Sequence, residues 1–196
     1  MGRVLSGRGG RCNEAAGLPG IMADRMILRY AQFDGEHDDR ELCRTLMREY
    51  AAFLNASVGG EHICVDSLEH ELAELPGEYA EPSGTVLLAF ADDEPAGCVA
   101  LKPIHKSGEH ACEMKRLWVR PTQQGKQIGR KLAEAVIEAG RQRGYTAMYL
   151  DTMPHSMQAA YALYCAMGFA PVERYTQNPV LRQPDALTIA YLRKEL

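Results

Sequence analysis

The loop that follows Val119 has the residue types of a phosphate-binding turn. A β-rich stretch ends there, a glycine-containing loop follows, and a helical pattern then begins. The first turn of a helix presents unpaired backbone N–H groups and a partial positive charge, which together bind phosphates. Gly125 and Gly129 lack the side chains that would keep a pyrophosphate away from the backbone, and Lys126 and Arg130 add positive charge.

Taken alone, this loop allows two interpretations. It is a site for a phosphorylated ligand, or it is only a tight connection between a strand and a helix. The chain has neither a G-x-x-x-x-G-K-[ST] motif nor a complete G-x-G-x-x-G motif. A nucleotide-binding protein of another fold is disfavoured, because the pattern before the loop is that of antiparallel strands.

A wider match comes from residues 117–121 and 124–130, which resemble the coenzyme A signature of the GNAT superfamily of N-acetyltransferases. In that signature a Val-x-Pro strand end is followed by an Arg or Gln, two residues, a Gly, one residue, and a Gly or Ala. Gln124 fills the first position and Gly129 the last, whereas Gln127 stands where the middle Gly is usual.

A second match lies further along the chain. Residues 163–169 read Leu-Tyr-Cys-Ala-Met-Gly-Phe, which is similar to the family's L-Y-x-x-x-G-F. The family often has an Asn seven residues before that Tyr, and Met157 stands there in this chain. The order of the elements between residues 85 and 192 also agrees with the family.

The resemblance implies that acetyl-CoA is the co-substrate. Its pantetheine arm would run along the end of the strand, and its pyrophosphate would lie at the helix start. The cofactor-binding residues that it implies are Leu117, Val119, Gln124, Gly125, Lys126, Gln127, Ile128, Gly129 and Arg130.

Acyl transfer from a thioester to an amine has three chemical requirements. The amine must lose a proton, the oxyanion of the intermediate needs a fixed N–H donor, and the leaving thiolate benefits from a proton donor. The resemblance implies Glu113 as the general base, directly or through water, and Tyr164 as the general acid. It also implies an oxyanion donor from the backbone near Leu117, on a splayed or bulged strand.

Each of these side chains also has a structural interpretation. Glu113 stands beside Lys115 and Arg116, as a solvated or ion-paired strand residue would. Tyr164 fits the core side of an amphipathic helix. Asp151 is a second carboxylate candidate for the base, or a cap for the next helix. Strand alternation predicts one face with Glu113, Lys115, Leu117 and Val119, and another with Met114, Arg116 and Trp118.

Hydrophobic periodicity and turn residues predict the elements that must position these groups. Helices are predicted at 38–54, 67–75, 127–143 and 156–167. Strands are predicted at 26–32, 85–91, 96–104, 111–119, 146–151, 169–174 and 186–192.

These elements indicate an α+β fold, with an antiparallel meander joined to a β-α-β unit. With the resemblance, we expect a GNAT-like mixed, mostly antiparallel sheet of about six or seven strands flanked by helices, with a central β-α-β coenzyme A unit. Residues 26–196 are predicted to form a single acetyltransferase domain. Residues 1–25, rich in Gly and Arg without hydrophobic periodicity, are predicted to be a disordered extension.

Bulk composition narrows the function classes further. A net charge of -4 disfavours a general nucleic-acid binder. No apolar run is long enough to span a membrane, so no membrane association is expected. The six cysteines have no C-x-x-C spacing, which indicates reduced thiols in a cytoplasmic protein. His105, His110 and Cys112 lack further ligands at a recognised spacing, so no metal is expected.

Two functions remain open at this point. The first is an N-acetyltransferase that acts on a small-molecule or peptide amine, and Glu113 and Tyr164 favour it. The second is an acyl-CoA-binding sensor without turnover, which Gln127 and Met157 favour. The acceptor pocket is expected near residues 50–55 and 175–184, and a homodimer is compatible with either function.

Overall fold

The computed structural model describes residues 25–35, 38–57, 65–106, 108–175 and 189–196, with backbone alone at 65–67. The extension predicted at 1–25 therefore lies, except for Arg25, outside the described residues. The first residues of the strand predicted at 186–192 also lie outside them.

The described residues form one sheet of seven strands in the order β1-β2-β3-β4-β5-β7-β6. Every neighbouring pair is antiparallel except β4 and β5, which are parallel. The predicted α+β fold with a mostly antiparallel sheet is thus confirmed. The strands are β1 Met26–Tyr30, β2 Thr85–Ala91, β3 Glu94–Lys106, β4 Glu109–Val119, β5 Ala147–Thr152, β6 Ala170–Val172 and β7 Ala190–Glu195.

Helices cover both faces of this sheet. They are α1 Arg40–Ser57, α2 Val65–Ala73, α3 Ile128–Gln142 and α4 Gln158–Ala166, with short 3-10 turns at Gly77–Tyr79 and Pro121–Gln123. The helix α3 connects β4 to β5, as a parallel strand pair requires. Among the described residues, no helix combines the length and apolar character needed to cross a membrane.

The hairpin between β2 and β3 turns on two residues, Asp92 and Asp93, with φ of +52° and +65°. Positive φ at both central residues matches the right-handed twist of the flanking strands, and Asp tolerates it better than most residues. This two-residue acidic turn therefore joins β2 to β3 within the meander.

Strand alternation gives the sheet two buried faces. The face toward α3 and α4 buries Leu101, Met114, Leu132, Val136, Leu150, Tyr164 and Leu192. The face toward α1 and α2 buries Leu46, Met47, Leu72, Val86, Leu88 and Trp118. Each fully buried Leu or Val contributes about 1.5–3 kcal/mol by leaving water, so both layers hold the central strands in place.

Candidate active site between the splayed strands

A bulge interrupts β4 where it pairs with β3. Ala100 lies opposite Lys115 and Cys98 opposite Trp118, so Arg116 and Leu117 together face the single residue between. Arg116 has a φ of +57°, which is uncommon for a residue with a side chain. A β-bulge bends the strand and turns backbone groups out of the ladder. The bulge expected near Leu117 is therefore present.

The bulge changes which side chains share a face. Leu117 and Val119 pack with the core beneath α3, together with Met114. Arg116 instead points to the α2 side, where its guanidinium donates two hydrogen bonds to Glu71, at 3.0 and 2.6 Å. The predicted face shared by Glu113, Lys115, Leu117 and Val119 is therefore wrong, because the extra residue reverses the alternation after Lys115.

Contacts on two sides hold the bulge in place. The partly buried Arg116–Glu71 ion pair ties it to α2, and the Tyr79 hydroxyl donates a further hydrogen bond to Glu71 at 2.7 Å. Burial would raise the pKa of Glu71, but the hydrogen bonds and charge of Arg116 outweigh that effect and lower it. On the other side, Gly97 gives the bulged strand room, since a Cβ there would stand 2.3 Å from the Trp118 carbonyl oxygen.

The parallel strands β4 and β5 separate before β4 reaches the bulge. Residues Ala111 to Glu113 of β4 pair with Ala147 to Tyr149 of β5, and the pairing stops there. A cavity of about 360 Å³ lies in the opening, lined on its two strand walls by Met114, Lys115, Arg116, Leu117, Leu150, Asp151 and Thr152. Because β4 and β5 do not pair along this wall, their backbone N–H and C=O groups there are available to a ligand.

The predicted phosphate-binding turn follows directly from this wall. After a 3-10 turn, Gly125 takes a φ of +83° and Gln127 a φ of +65°, and α3 begins at Ile128. The first helical hydrogen bond of this turn runs from Lys131 N to Gln127 O, at 3.1 Å. The N–H groups of the three residues before it, including Gly129, therefore have no partner within the helix.

Gln127 occupies the turn in a left-handed conformation, which a Gly adopts without strain. Its side chain is exposed and caps no backbone N–H group of the helix. Gly129 lies against Val119, and a Cβ there would meet the Val119 methyl at an ordinary 3.5 Å. The protein's own packing therefore does not require a glycine at position 129. The close approach of a ligand to the backbone would explain why a glycine stands there.

The remaining cofactor candidates surround the same turn. Gln124 donates a hydrogen bond from its side chain to Val119 O, at 3.3 Å. Lys126 and Arg130 are exposed, and Arg130 lies 3.8 Å from Glu134 one helical turn later. Ile128 is buried and anchors the start of α3 in the core.

Tyr164 lines the cavity opposite the bulge. It is 6% exposed, and its ring packs edge-on against Phe169 with the centroids 5.9 Å apart. Burial raises the pKa of its phenol above the ordinary value, and the charges of Tyr50 and Asp151 raise it further. The phenol is thus protonated at neutral pH, as a proton donor must be.

Glu113, the predicted base, is enclosed by other side chains. It is 4% exposed and is not among the residues that line the cavity. The Tyr175 hydroxyl donates to its Oε1 at 2.7 Å, while Lys115 Nζ stands 3.6 Å from Oε1 and Lys102 Nζ 3.9 Å from Oε2. Its carboxylate is therefore held by three groups beneath the cavity wall.

Asp151 does line the cavity, close to the end of β5. Its Oδ1 accepts a hydrogen bond from Lys115 Nζ at 3.1 Å. The Lys115–Asp151 contact was not predicted, because it depends on how far β4 and β5 separate. The sequence signal for it was the carboxylate at the end of the strand that follows α3.

Other predicted contacts have mixed outcomes. Tyr175, which begins the stretch expected near the acceptor, donates a hydrogen bond to Glu113, and residues 176–184 lie outside the described residues. Met157, which replaces the usual Asn, lines the cavity at the start of α4. Nowhere in the described part of the chain do three or more His, Cys, Asp or Glu side chains gather to hold a metal ion.

Known proteins resemble this chain over most of the residues that build the site. The profile of the acetyltransferase (GNAT) family matches residues 40–169. An uncharacterized N-acetyltransferase of Schizosaccharomyces pombe is 35% identical over 138 residues, which are 70% of this chain and 79% of that protein. The IAA acetyltransferase of Azospirillum brasilense is 35% identical over 104 residues, or 52% of this chain and 66% of that protein.

Solved structures share the fold at lower identity. A GNAT acetyltransferase from Staphylococcus aureus has a TM-score of 0.66 at 16% identity, covering 88% of this chain and 99% of its own. The PaiA N-acetyltransferase of Thermoplasma acidophilum, in complex with coenzyme A, has a TM-score of 0.60 at 17% identity, covering 88% and 99%. The Salmonella typhimurium acetyltransferase yncA, with its cofactor acetyl-CoA, has a TM-score of 0.55 at 19% identity, covering 87% and 94%.

Proposed function

Because this chain belongs to the acetyltransferase (GNAT) family, we propose that it transfers the acetyl group of acetyl-CoA to a primary amine of a small molecule or peptide. One observation carries the proposal. The phosphate-binding turn and the cavity are joined by the end of β4, where Leu117 lines the cavity and Val119 borders the turn. A cofactor held at the turn thus reaches the cavity that Tyr164 lines.

The cofactor would be held by the chain's own backbone and by few side chains. The N–H groups at the start of α3 would hold the pyrophosphate, with the positive charges of Lys126 and Arg130 beside it. Leu117 and Val119 would border the pantetheine arm along the interrupted ladder of β4. Two structural neighbours with acetyl-CoA or coenzyme A bound support this choice of co-substrate.

The chemistry proceeds by direct attack on the thioester. A cationic amine first gives one proton to a carboxylate, and the neutral nitrogen then forms a bond to the thioester carbon. The resulting oxyanion is stabilised by backbone N–H groups near Leu117. As the C–S bond breaks, Tyr164 gives its proton to the thiolate, and the phenolate then takes the remaining proton from the amide nitrogen.

The carboxylate that starts this sequence lies in the cluster of Glu113, Lys115 and Asp151. The resemblance favours Glu113, which stays a prediction, and the cavity wall carries Asp151. The cysteines described are free thiols, three buried and one exposed, which is consistent with our prediction of a cytoplasmic compartment. The homodimer also stays a prediction.

A binding protein without turnover is the alternative, and two observations favour it. Gln127 takes the left-handed conformation where the family usually has Gly, and Met157 stands at the position of the usual Asn. A buried, protonated phenol on the cavity wall favours turnover instead, because binding alone does not require a proton donor.

The two functions are separated by measuring free thiol release from acetyl-CoA against a panel of primary amines. We expect amine-dependent thiol release, with the acetylated amine detected by mass spectrometry. If calorimetry shows acetyl-CoA binding while no amine raises thiol release above the rate without protein, the chain binds the cofactor without turnover.

A further inference from the structure

The walls of the cavity distinguish between the two candidate carboxylates. We propose that Asp151 accepts the proton of the acceptor amine, and that Glu113 is a positioning residue that holds Lys115 behind it. The inference rests on the proposed function, because it assigns a residue to one step of that reaction.

Asp151 has the position that a proton acceptor requires. It lies two residues beyond Tyr149, the last residue of β5 that pairs with β4, so its side chain stands in the opening of the strands. The side chain is 21% exposed, and its Oδ1 accepts a hydrogen bond from Lys115. Among the described residues, none donates a hydrogen bond to Oδ2, which leaves that oxygen to an amine in the cavity.

Glu113 lacks that access. Its side chain is 5% exposed, and the Tyr175 hydroxyl and the ammonium groups of Lys115 and Lys102 surround both carboxylate oxygens. An amine could reach it only by displacing one of these groups. General-base catalysis needs hydrogen-bond reach to the proton, directly or through one water. The geometry therefore favours Asp151 over Glu113.

Lys115 links the two carboxylates. Burial would lower the pKa of its ammonium, but the charges of Asp151 and Glu113 raise it above the ordinary value. Lys115 thus stays charged and holds Asp151 by a hydrogen bond, while Glu113 on its other side fixes where the ammonium stands. Asp151 also faces the phenols of Tyr164, Tyr175 and Tyr191, whose pKa values are raised by burial first and then in part by its charge.

Base and acid therefore stand on the same cavity. Asp151 takes one proton from the cationic amine and becomes a neutral carboxylic acid, and the amine nitrogen gains the lone pair with which it attacks the thioester carbon. Tyr164 protonates the leaving thiolate as described above. Asp151 returns its proton to solvent when the product leaves, so that one proton is released per cationic amine acetylated.

Substitution of the two carboxylates tests the assignment. Asp151→Asn keeps the size and the polar contacts but removes the base, and we expect kcat to fall by about 10²- to 10⁴-fold. The loss should be largest at low pH, where the amine is protonated, and an acceptor amine of low pKa should partly restore the rate. Acetyl-CoA affinity, measured by calorimetry, should stay unchanged and shows that the variant is folded.

Glu113→Gln should lower kcat by less than Asp151→Asn, and the loss should not depend on the pKa of the acceptor amine. Asp151→Glu retains a carboxylate and should keep more activity than Asp151→Asn. Asp93→Asn, in the exposed turn between β2 and β3, controls for the loss of one negative charge and should act like the wild-type protein.

The outcomes are distinct. A wild-type protein without turnover would remove the proposed function, and this assignment with it. Suppose instead that the wild-type protein turns over, Asp151→Asn keeps nearly the wild-type rate, and Glu113→Gln is strongly impaired but rescued by amines of low pKa. That result would overturn only the assignment of Asp151 and would make Glu113 the base. Loss of acetyl-CoA binding in Asp151→Asn would also overturn it, because Asp151 would then serve cofactor binding.

Discussion

Tyr164 illustrates how one position can satisfy both packing and chemistry. Its ring is part of the core beneath α3 and α4, and it also lines the cavity. Burial and the nearby charges raise its pKa, so the phenol holds its proton over the whole neutral range. The structural and the catalytic interpretations of this tyrosine are therefore compatible.

Tyr164→Phe removes the hydroxyl and keeps the ring. We expect kcat to fall by about 10²- to 10⁴-fold, with acetyl-CoA affinity unchanged. Because the raised pKa lies above the ordinary value of about 10, the wild-type kcat should show no alkaline decline from this group below that pH. Tyr161→Phe, on the same helix, is the control and should retain the wild-type rate. A Tyr164→Phe variant as active as wild type would leave the tyrosine a purely structural role.

The two glycines of the phosphate-binding turn differ in backbone conformation and in the space around them. Gly125 needs its positive φ and has open space around it, whereas Gly129 is helical and has room for a methyl group. Gly129→Ala should raise the stability by up to about 1 kcal/mol through helix propensity, while weakening acetyl-CoA binding. Gly125→Ala should lower stability by about 1–2 kcal/mol through backbone strain.

Urea unfolding and calorimetry measure both quantities on the same samples. For Gly129→Ala we expect the free energy of unfolding to rise and the acetyl-CoA affinity to fall. That combination would show that Gly129 serves the approach of a ligand and not the packing of the chain. Unchanged acetyl-CoA affinity in Gly129→Ala would show that the pyrophosphate does not approach this backbone.

At the scale of elements, the bulge in β4 is held by α2. The Arg116 and Glu71 side chains are 13% and 21% exposed, so their charges are mostly out of water. A buried charge left without its partner destabilises a protein far more than a surface charge does. The bulged strand that lines the cavity therefore depends on a helix that is distant in sequence.

A pair of substitutions in α2 compares a buried with a surface ion pair. Glu71→Gln leaves Arg116 without its counter-charge and should lower the free energy of unfolding by about 3 kcal/mol. Glu69→Gln breaks the ion pair between Glu69 and Arg48, in which both side chains are half exposed. It should lower the free energy of unfolding by less than about 1 kcal/mol. Urea unfolding at neutral pH measures both. Equal losses would mean that Glu71 does not support the bulge.

The Arg116–Glu71 ion pair also contributes to the dependence of stability on acid pH. The pKa of Glu71 is lower in the folded protein than in the unfolded chain, where it is about 4.3. The stability that this carboxylate contributes is thus present above the unfolded pKa and is lost as pH falls through the lower folded pKa. Glu71→Gln, which cannot titrate, should lose less stability than wild type over that acid range.

For the molecule as a whole, patterns local in sequence predicted most of the architecture. The alternation from Thr85 to Ala91 and the helical period after Gln127 appear as β2 and α3. The insertion of β7 between β5 and β6 was not predicted, because strand order depends on contacts between distant segments.

The site was harder to predict than the fold for a physical reason. Motifs placed Tyr164 and the turn after Val119, because each depends on residues that are close in sequence. The reversal of faces after Lys115 depends on register with β3, and the Lys115–Asp151 contact depends on the separation of β4 and β5. A single sequence contains no local signal for either.

Both buried faces share one sheet, so the molecule should unfold as a unit. Leu192 on one face and Leu72 on the other are fully buried. Leu192→Ala and Leu72→Ala should each lower stability by about 2–5 kcal/mol, and each variant should still unfold in a single transition. Calorimetry and urea curves followed by two probes test this; separate transitions for the two faces would contradict it.

The position of β7 has a consequence for biosynthesis. Its residues pair with β5 on one side and β6 on the other, and Leu196 N donates to Thr146 O at 3.0 Å. On the ribosome, the strand that bears Asp151 therefore acquires its second neighbour only after residue 195 has been made. The meander of β1 to β4 can form earlier, but the nascent chain gains a complete catalytic cavity only once β7 has been made.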